Sequence, residues 1–296
     1  MKKYDAIIIG SGQAGTPLSK KLANAGWNTA LIESRWIGGT CINDGCTPTK
    51  TMIASAKMAR LASESHQLGI NIPAYQVDLP AIVRRKNDIV QRFRDGAQKG
   101  LEKTPNLEIL FGKARFTGPK TINVFSGGAE PIAITAEKIF INIGTTTRVP
   151  DIQGLADIPY LTSTTILDIP VIPEHLLIIG TGYIGLEFGQ MFLRFGSKVT
   201  MVEASSQLLH KEDRDVAECL ENILAAEGIT FYKNATPARF SKNDEGITAS
   251  IAHGNETIEL NCSHVLLATG RSPQTIDLGV EKAGIKVNEK KLHRSK

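Results

Sequence analysis

The sequence predicts an α/β protein built on parallel sheets, and two observations carry that prediction. The first is an internal repeat. "IIIGSGQAGTPLSKKLANAGWNTALIE" (residues 7–33) and "LIIGTGYIGLEFGQMFLRFGSKVTMVE" (residues 177–203) align without a gap. Gly10, Gly12, Gly15, Gly26 and Glu33 match Gly180, Gly182, Gly185, Gly196 and Glu203. The second observation is the grammar shared by the copies. A short apolar run, which suits a strand buried on both faces of a parallel sheet, meets G-x-G-x-x-G, then a helical stretch, then a second apolar run closed by glutamate.

Each part of that grammar has a physical use. The first glycine permits a tight turn, the second lets a pyrophosphate approach the backbone, and the third lets the helix pack on the strand. The helix N-terminus offers free N–H groups and about half a positive charge to a diphosphate. The terminal carboxylate accepts hydrogen bonds from ribose hydroxyls. A bare glycine motif is weak evidence, but here strand, helix and acid all stand at the expected spacing, twice. The expectation is two dinucleotide sites, hence two cofactors or a cofactor and a substrate. Pro17 falls in the first turn of its helix, where a missing N–H is tolerated.

Between the repeats, residues 81–103 read as an amphipathic helix. Short strands follow at Leu107–Phe111, Thr121–Phe125 and residues 138–143. Residues 145–154 read as a linker. After the second repeat come a helix near residues 213–227 and several short β segments, the last at residues 264–271.

Bulk properties narrow the class. The 296 residues suit two domains of ordinary size, with 42% apolar and 22% charged residues, a net charge of +4 and four cysteines. Arg84, Arg85, Lys86, Arg92 and Arg94 form the densest basic cluster, interleaved with Asp88 and Asp95, and read as a solvated helix face. Nucleic-acid binding wants a stronger basic stripe with aromatics. No apolar stretch reaches the roughly 18 residues of a membrane span, and the apolar run after Lys3 breaks at Gly10, too short for a signal-peptide core. The default location is the cytoplasm, where cysteines stay reduced unless chemistry demands otherwise.

Two of the cysteines lie close together in "GGTCINDGCTPTK". Cys41 and Cys46 could be a metal pair, a structural staple or a redox couple. Structural zinc wants four ligands at characteristic spacing, and no His or Cys nearby completes the set. In a regular helix, Cα atoms five residues apart are about 8.6 Å distant, beyond the roughly 4.4–6.8 Å a disulfide needs. An irregular loop or distorted first turn allows the bond. Gly45 supplies the freedom, and Pro48 suits the first turn of a following helix. The second thiol then sits near a helix N-terminus, a position that favours reactive thiols. Cys219, in a helix, and Cys262, beside a strand, read as buried packing residues.

Taken together, the first glycine motif, "GGTCINDGCTPTK", "GTGYIGLE" and "ATGR" resemble the flavoprotein disulfide reductases, the pyridine nucleotide-disulfide oxidoreductases that include dihydrolipoamide dehydrogenase, glutathione reductase and mercuric reductase. The resemblance covers nearly the whole chain. It implies two Rossmann-like dinucleotide-binding domains with parallel sheets and β-meander insertions. Residues 1–148 match the first part of an FAD-binding domain, 149–270 an NAD(P)-binding domain, and 271–296 the start of a return segment into the FAD domain. Gly10, Gly12, Gly15, Glu33, Gly39, Thr40 and Gly144 match FAD-contacting positions. Cys41 matches the thiol that attacks substrate, and Cys46 the thiol beside the flavin. Lys50 matches a lysine near the reactive flavin nitrogen, paired with Glu187. Gly180, Gly182, Gly185 and Glu203 match the pyridine-nucleotide site, Tyr183 the residue that gates it, and Gly270 the strand end where the chain returns to the FAD domain. The implied cycle runs from NAD(P)H through FAD to the disulfide and on to a disulfide or metal-ion substrate. Glu203, followed by Ala204, Ser205, Ser206 and Gln207 with no arginine, implies NADH over NADPH.

The chain also departs from that family. Asp44 stands where the family often has valine, and its carboxylate is expected to disfavour a nearby thiolate. "INIGTTTR" stands where the family has "IATGS". Family members continue well past residue 296, into an interface domain that makes the homodimer and donates a His–Glu acid/base pair. On that reading the chain is truncated, holds FAD weakly and turns over slowly. The alternative class is a non-catalytic nucleotide-binding fragment.

Overall fold

The computed structural model describes residues 1–243 and 246–287. Strand β1 (Lys2–Ile9) leads through the first glycine loop into α1 (Gly15–Asn24) and β2 (Thr29–Glu33). Helices α2 (Gly39–Asn43), α3 (Cys46–Glu64) and α4 (Leu79–Glu102) follow. Then come β3 (Leu107–Phe111), β4 (Lys113–Gly118), β5 (Thr121–Phe125), β6 (Ile132–Ile141) and β7 (Thr145–Thr147). The second repeat gives β8 (His175–Ile179), α5 (Tyr183–Phe195) and β9 (Lys198–Val202), followed by α6 (Arg214–Glu227) and β10 (Thr230–Tyr232). A meander, β11 (Ala235–Asn243), β12 (Gly246–His253) and β13 (Glu256–Cys262), precedes β14 (His264–Leu267) and β15 (Arg271–Pro273).

The chain divides into two compact units. One comprises Met1–Thr47, Asp88–Thr146 and the described residues from Arg271 on; the other comprises Pro48–Asn87 and Thr147–Gly270. Most of α3 and the first turns of α4 therefore count with the second unit.

In the first unit a six-stranded sheet among the described residues runs β3-β2-β1-β6-β5-β4. Its first four strands are parallel and its last three form an antiparallel meander. Alternation along β1 explains why the run is apolar throughout. Ile7 and Ile9 join Ile32, Phe116 and Ile122 on one face, while Ala6 and Ile8 join Leu31, Leu101 and the helix residues Leu18 and Leu22 on the other. Both faces are covered, as a parallel sheet requires, and each fully buried isoleucine contributes about 1.5–3 kcal/mol. The strand expected at residues 138–143 is the second half of the longer β6. Its earlier residues pair antiparallel with β5 (Ile132 opposite Val124) and its later ones parallel with β1 (Phe140 opposite Ile8).

The second unit repeats the plan with a four-stranded parallel sheet, β10-β9-β8-β14. Leu176 and Ile178 face Phe188, Met191 and Phe192 of α5, with Met52, Ala56 and Leu79 in the same cluster. Leu177 and Ile179 face the meander through Phe240, Ala249 and Ile251.

Three expectations need correcting. The basic cluster on α4 is not a solvated face throughout: Lys86 is only 3% exposed. Its ammonium donates to the Leu167 carbonyl at 3.0 Å and pairs with Asp168, while Arg85 donates to the Thr51 carbonyl. Burial of an ammonium is tolerable only with such partners. Cys219 is exposed on α6 rather than buried, whereas Cys262 is buried as expected. The supposed linker at residues 145–154 begins with β7, which pairs with β15, and Arg271 clasps Thr145 through its hydroxyl (2.6 Å) and carbonyl (2.5 Å).

Candidate functional site

The two glycine loops close by the same device. Gly10 sits at φ +101°, and a Cβ on Gly15 would lie 1.8 Å from the Gly10 carbonyl oxygen. In the second copy Gly180 sits at φ +103°, and a Cβ on Gly185 would lie 2.3 Å from the Gly180 oxygen. Neither approach tolerates a side chain, so each helix begins hard against its own loop. The middle glycine of the second loop, Gly182, faces open space; the nearest atom to a Cβ on Gly12 would be the Gly39 Cα at 3.9 Å. The backbone there is open to a ligand, as a pyrophosphate requires.

Both terminal glutamates are held by a network the sequence reading missed. Glu33 accepts from the Ser11 N–H at 3.0 Å, the Ser11 hydroxyl at 2.6 Å and the Arg35 N–H at 2.9 Å. Glu203 accepts from the Thr181 N–H at 3.0 Å, the Thr181 hydroxyl at 2.7 Å and the Ser205 N–H at 2.9 Å. Burial pushes the Glu203 carboxyl up, but these donors outweigh it and hold the group below the usual carboxylate range. The missed signal was legible: a hydroxyl residue stands between the first two glycines of both copies, as "GSG" and "GTG". A carboxylate has about four lone-pair sites, so each glutamate keeps capacity for a ligand hydroxyl.

In the first unit a cleft of about 800 Å³ runs along the loop. Gly10, Gly12, Glu33, Gly39, Thr40 and Gly144 all line it, with Asn142 from the end of β6. Asn142 Nδ2 is buried without a partner among the described residues, an unsatisfied donor beside the cleft that a ligand acceptor would relieve. Gly39 must be glycine, because a Cβ there would lie 2.5 Å from the Gly12 Cα. Neither Cys41 nor Cys46 lines the cleft, but Asn43 and Asp44 between them do.

The cysteines sit across a break in helix. Cys41 lies within α2 and Cys46 is the first residue of α3, with Asp44 and Gly45 forming the break. Both are free thiols, Cys41 partly buried and Cys46 exposed. Burial pushes the Cys41 thiol up, and the Cys46 sulfur adds to it; the Cys46 backbone N–H pulls the other way. The two thiols are close enough to feel one another electrostatically. Asp44, whose carboxylate is expected to disfavour a nearby thiolate, is paired with Arg35 through two bonds of 2.8 and 3.0 Å.

The family described as pyridine nucleotide-disulphide oxidoreductase matches residues 4–293. The chain belongs to that family. Among oxidoreductases of this family, the chain is 39% identical to the probable pyridine nucleotide-disulfide oxidoreductase RclA of Escherichia coli over 98% of its length. A mercuric reductase of Lysinibacillus sphaericus is 34% identical over 97%. The solved structure of the E. coli HOCl-induced flavoprotein disulfide reductase RclA, a Cu(II) complex, superposes with a TM-score of 0.87 at 38% identity over 99% of the chain. The chain spans 62% of both RclA matches and 52% of the mercuric reductase.

The remaining predicted site residues of this oxidoreductase-family chain lie in the second unit. Lys50, on α3, pairs with Glu187 on α5 through its ammonium. Tyr183 opens α5 directly after Gly182, is 62% exposed, and its hydroxyl donates to Glu212. Gly270 sits at φ +100° and its carbonyl accepts from the Arg148 N–H at 2.9 Å. No helix among the described residues is long and apolar enough to cross a membrane.

Proposed function

We propose that this chain passes electrons from NAD(P)H through FAD to a Cys41–Cys46 disulfide and on to a disulfide substrate. The observation that carries the reading is the pairing, within one unit, of a Glu33-anchored dinucleotide cleft with two thiols across a helix break. The unpartnered Asn142 Nδ2, the open Gly12 backbone and the cleft volume favour an FAD-sized ligand there. When bound, FAD supplies a two-electron relay between a hydride donor and a disulfide.

The chain's own residues then have distinct tasks. Glu33 accepts from ribose hydroxyls and the start of α1 receives the pyrophosphate. Gly180, Gly182, Gly185 and Glu203 do the same for the nicotinamide nucleotide, with Tyr183 beside the entry. Lys50, placed by its ion pair with Glu187, offers a cation for developing negative charge. In the dithiol, Cys41 attacks one sulfur of the substrate disulfide, whose other sulfur leaves as thiolate and takes a proton. Cys46 then attacks Cys41, which restores the internal disulfide and releases the second substrate thiol. Two electrons and two protons pass to the substrate.

A metal-ion substrate is the second reading, favoured by the mercuric reductase among the relatives and by the Cu(II) complex of RclA; a dihydrolipoamide dehydrogenase-like disulfide substrate belongs to the first. In either case the location is taken as cytoplasmic and the homodimer as the family's arrangement. The test is reconstitution with FAD, removal of free flavin, and anaerobic addition of NADH. Flavin absorbance that is retained only in part, and that NADH bleaches, is the expected result. Flavin that binds but does not bleach would leave a nucleotide-binding protein without turnover, and no binding at all would overturn the reading.

A further inference from the structure

Two of the four residues between the thiols, Asn43 and Asp44, are held by Arg94 and Arg35, side chains to which the proposed reaction gives no task. Arg35 and Arg94 each place a guanidinium carbon 4.0 Å from the Trp36 ring centroid. Both guanidiniums thus lie within cation–π range of the one indole ring. Arg35 makes the two-bond pair with Asp44. Arg94 donates to the Asn43 side-chain oxygen at 2.9 Å, and Asn43 in turn donates to the carbonyls of Ile37 and Gly39. Burial and the neighbouring Arg35 charge hold the Arg94 guanidinium below its usual range, while Asp44 opposes that. Asp44 thus ties Arg35, and Asn43 ties Arg94, to the segment where α2 gives way to α3.

We propose that Arg35 and Arg94, clamped on Trp36, are positioning residues that hold Asn43 and Asp44 and thereby keep Cys41 and Cys46 within reach of one another. A fixed loop raises the effective concentration of one thiol at the other and stabilises the disulfide. Releasing the clamp lets the loop sample conformations in which the sulfurs are apart, so the disulfide becomes easier to reduce. The inference rests on the proposed Cys41–Cys46 couple.

The test is thiol–disulfide equilibrium with dithiothreitol in the FAD-loaded protein. A dithiothreitol thiolate attacks one sulfur, the internal S–S bond breaks, and the departing thiolate is protonated. The second dithiothreitol thiol closes its own ring disulfide and frees the other cysteine. Two electrons and two protons enter the protein. Quantifying Cys41 and Cys46 by alkylation and mass spectrometry gives the equilibrium constant. Asp44→Asn and Arg35→Met are each expected to shift it toward the dithiol by about threefold or more, the loss of one two-bond ion pair. The double variant shifts it no further, and Arg35→Lys, which keeps charge without the fork, falls between. A purely structural role would lower the unfolding midpoint of the reduced protein and leave the constant alone. A constant unchanged in both single variants, with the disulfide formed, overturns the inference but not the couple. Failure of the unmodified protein to form the disulfide overturns both.

Discussion

Glu203 already accepts three hydrogen bonds from its own chain, yet it stands where a bound nucleotide's ribose is expected, so its remaining lone pairs should set the preference. A 2′-phosphate there meets a like charge with no arginine following in sequence, whereas ribose hydroxyls are donors. NADH should bind more tightly than NADPH by about 1–3 kcal/mol, or about 5- to 150-fold, and Glu203→Ala should erase most of that ratio. Titration of each nucleotide by fluorescence checks it; tighter NADPH binding by the unmodified chain contradicts the assignment. Thr181 sharpens the argument. Its hydroxyl donates to Glu203 at 2.7 Å from a site that is 1% exposed. Thr181→Val keeps the shape and removes the donor, and should weaken NADH about 2- to 10-fold, while Thr181→Ser should recover it. At this scale the sequence revealed the glutamates and glycines but not what aims them. The same holds for Asp44: its charge was visible in the chain, whereas its Arg35 partner, nine residues earlier, became evident only when the loop was folded.

Glycines divide the helices into places where a side chain is forbidden and places where it is missing. Gly15 opens α1 against the Gly10 carbonyl, and the obstructing atom is backbone, which cannot swing aside. Gly15→Ala should cost at least about 2 kcal/mol of unfolding free energy. Gly96 lies inside α4 with ordinary φ and nothing within 4 Å of an added Cβ. Gly96→Ala should stabilise by about 0.5–1 kcal/mol, since alanine has less backbone freedom to lose. Urea unfolding of both variants tests the pair, and a stable Gly15→Ala protein would show that the loop closes differently. Apolar periodicity was enough to find β3, β5 and α6 nearly to the residue. It failed at β6, whose first residues are half-exposed hairpin partners with no unbroken apolar run. It failed on α4 too, where a charged residue, Lys86, is buried because Leu167 and Asp168 meet it from distant sequence.

At the scale of the molecule, one design occurs twice: a parallel sheet apolar on both faces, a glycine loop without room for Cβ, and a carboxylate held by a hydroxyl from that loop. The repeat in the sequence foretold this duplication, because strict strand–glycine–helix spacing leaves few other folds. What it did not foretell is the membership of residues 48–87, which count with the second unit although they follow the first motif in the chain. No local pattern marks that, since Met52, Ala56 and Leu79 are apolar helix residues whichever unit they join. On the proposed function, the two nucleotide sites serve the thiol pair. The most direct measurement is to add NADH anaerobically to air-oxidised, FAD-loaded protein, alkylate, and count modified residues by mass spectrometry. NADH should make Cys41 and Cys46 alkylatable together, and neither should label fully beforehand. Thiols already free without NADH, or a disulfide that NADH leaves intact while the flavin is reduced, would contradict it.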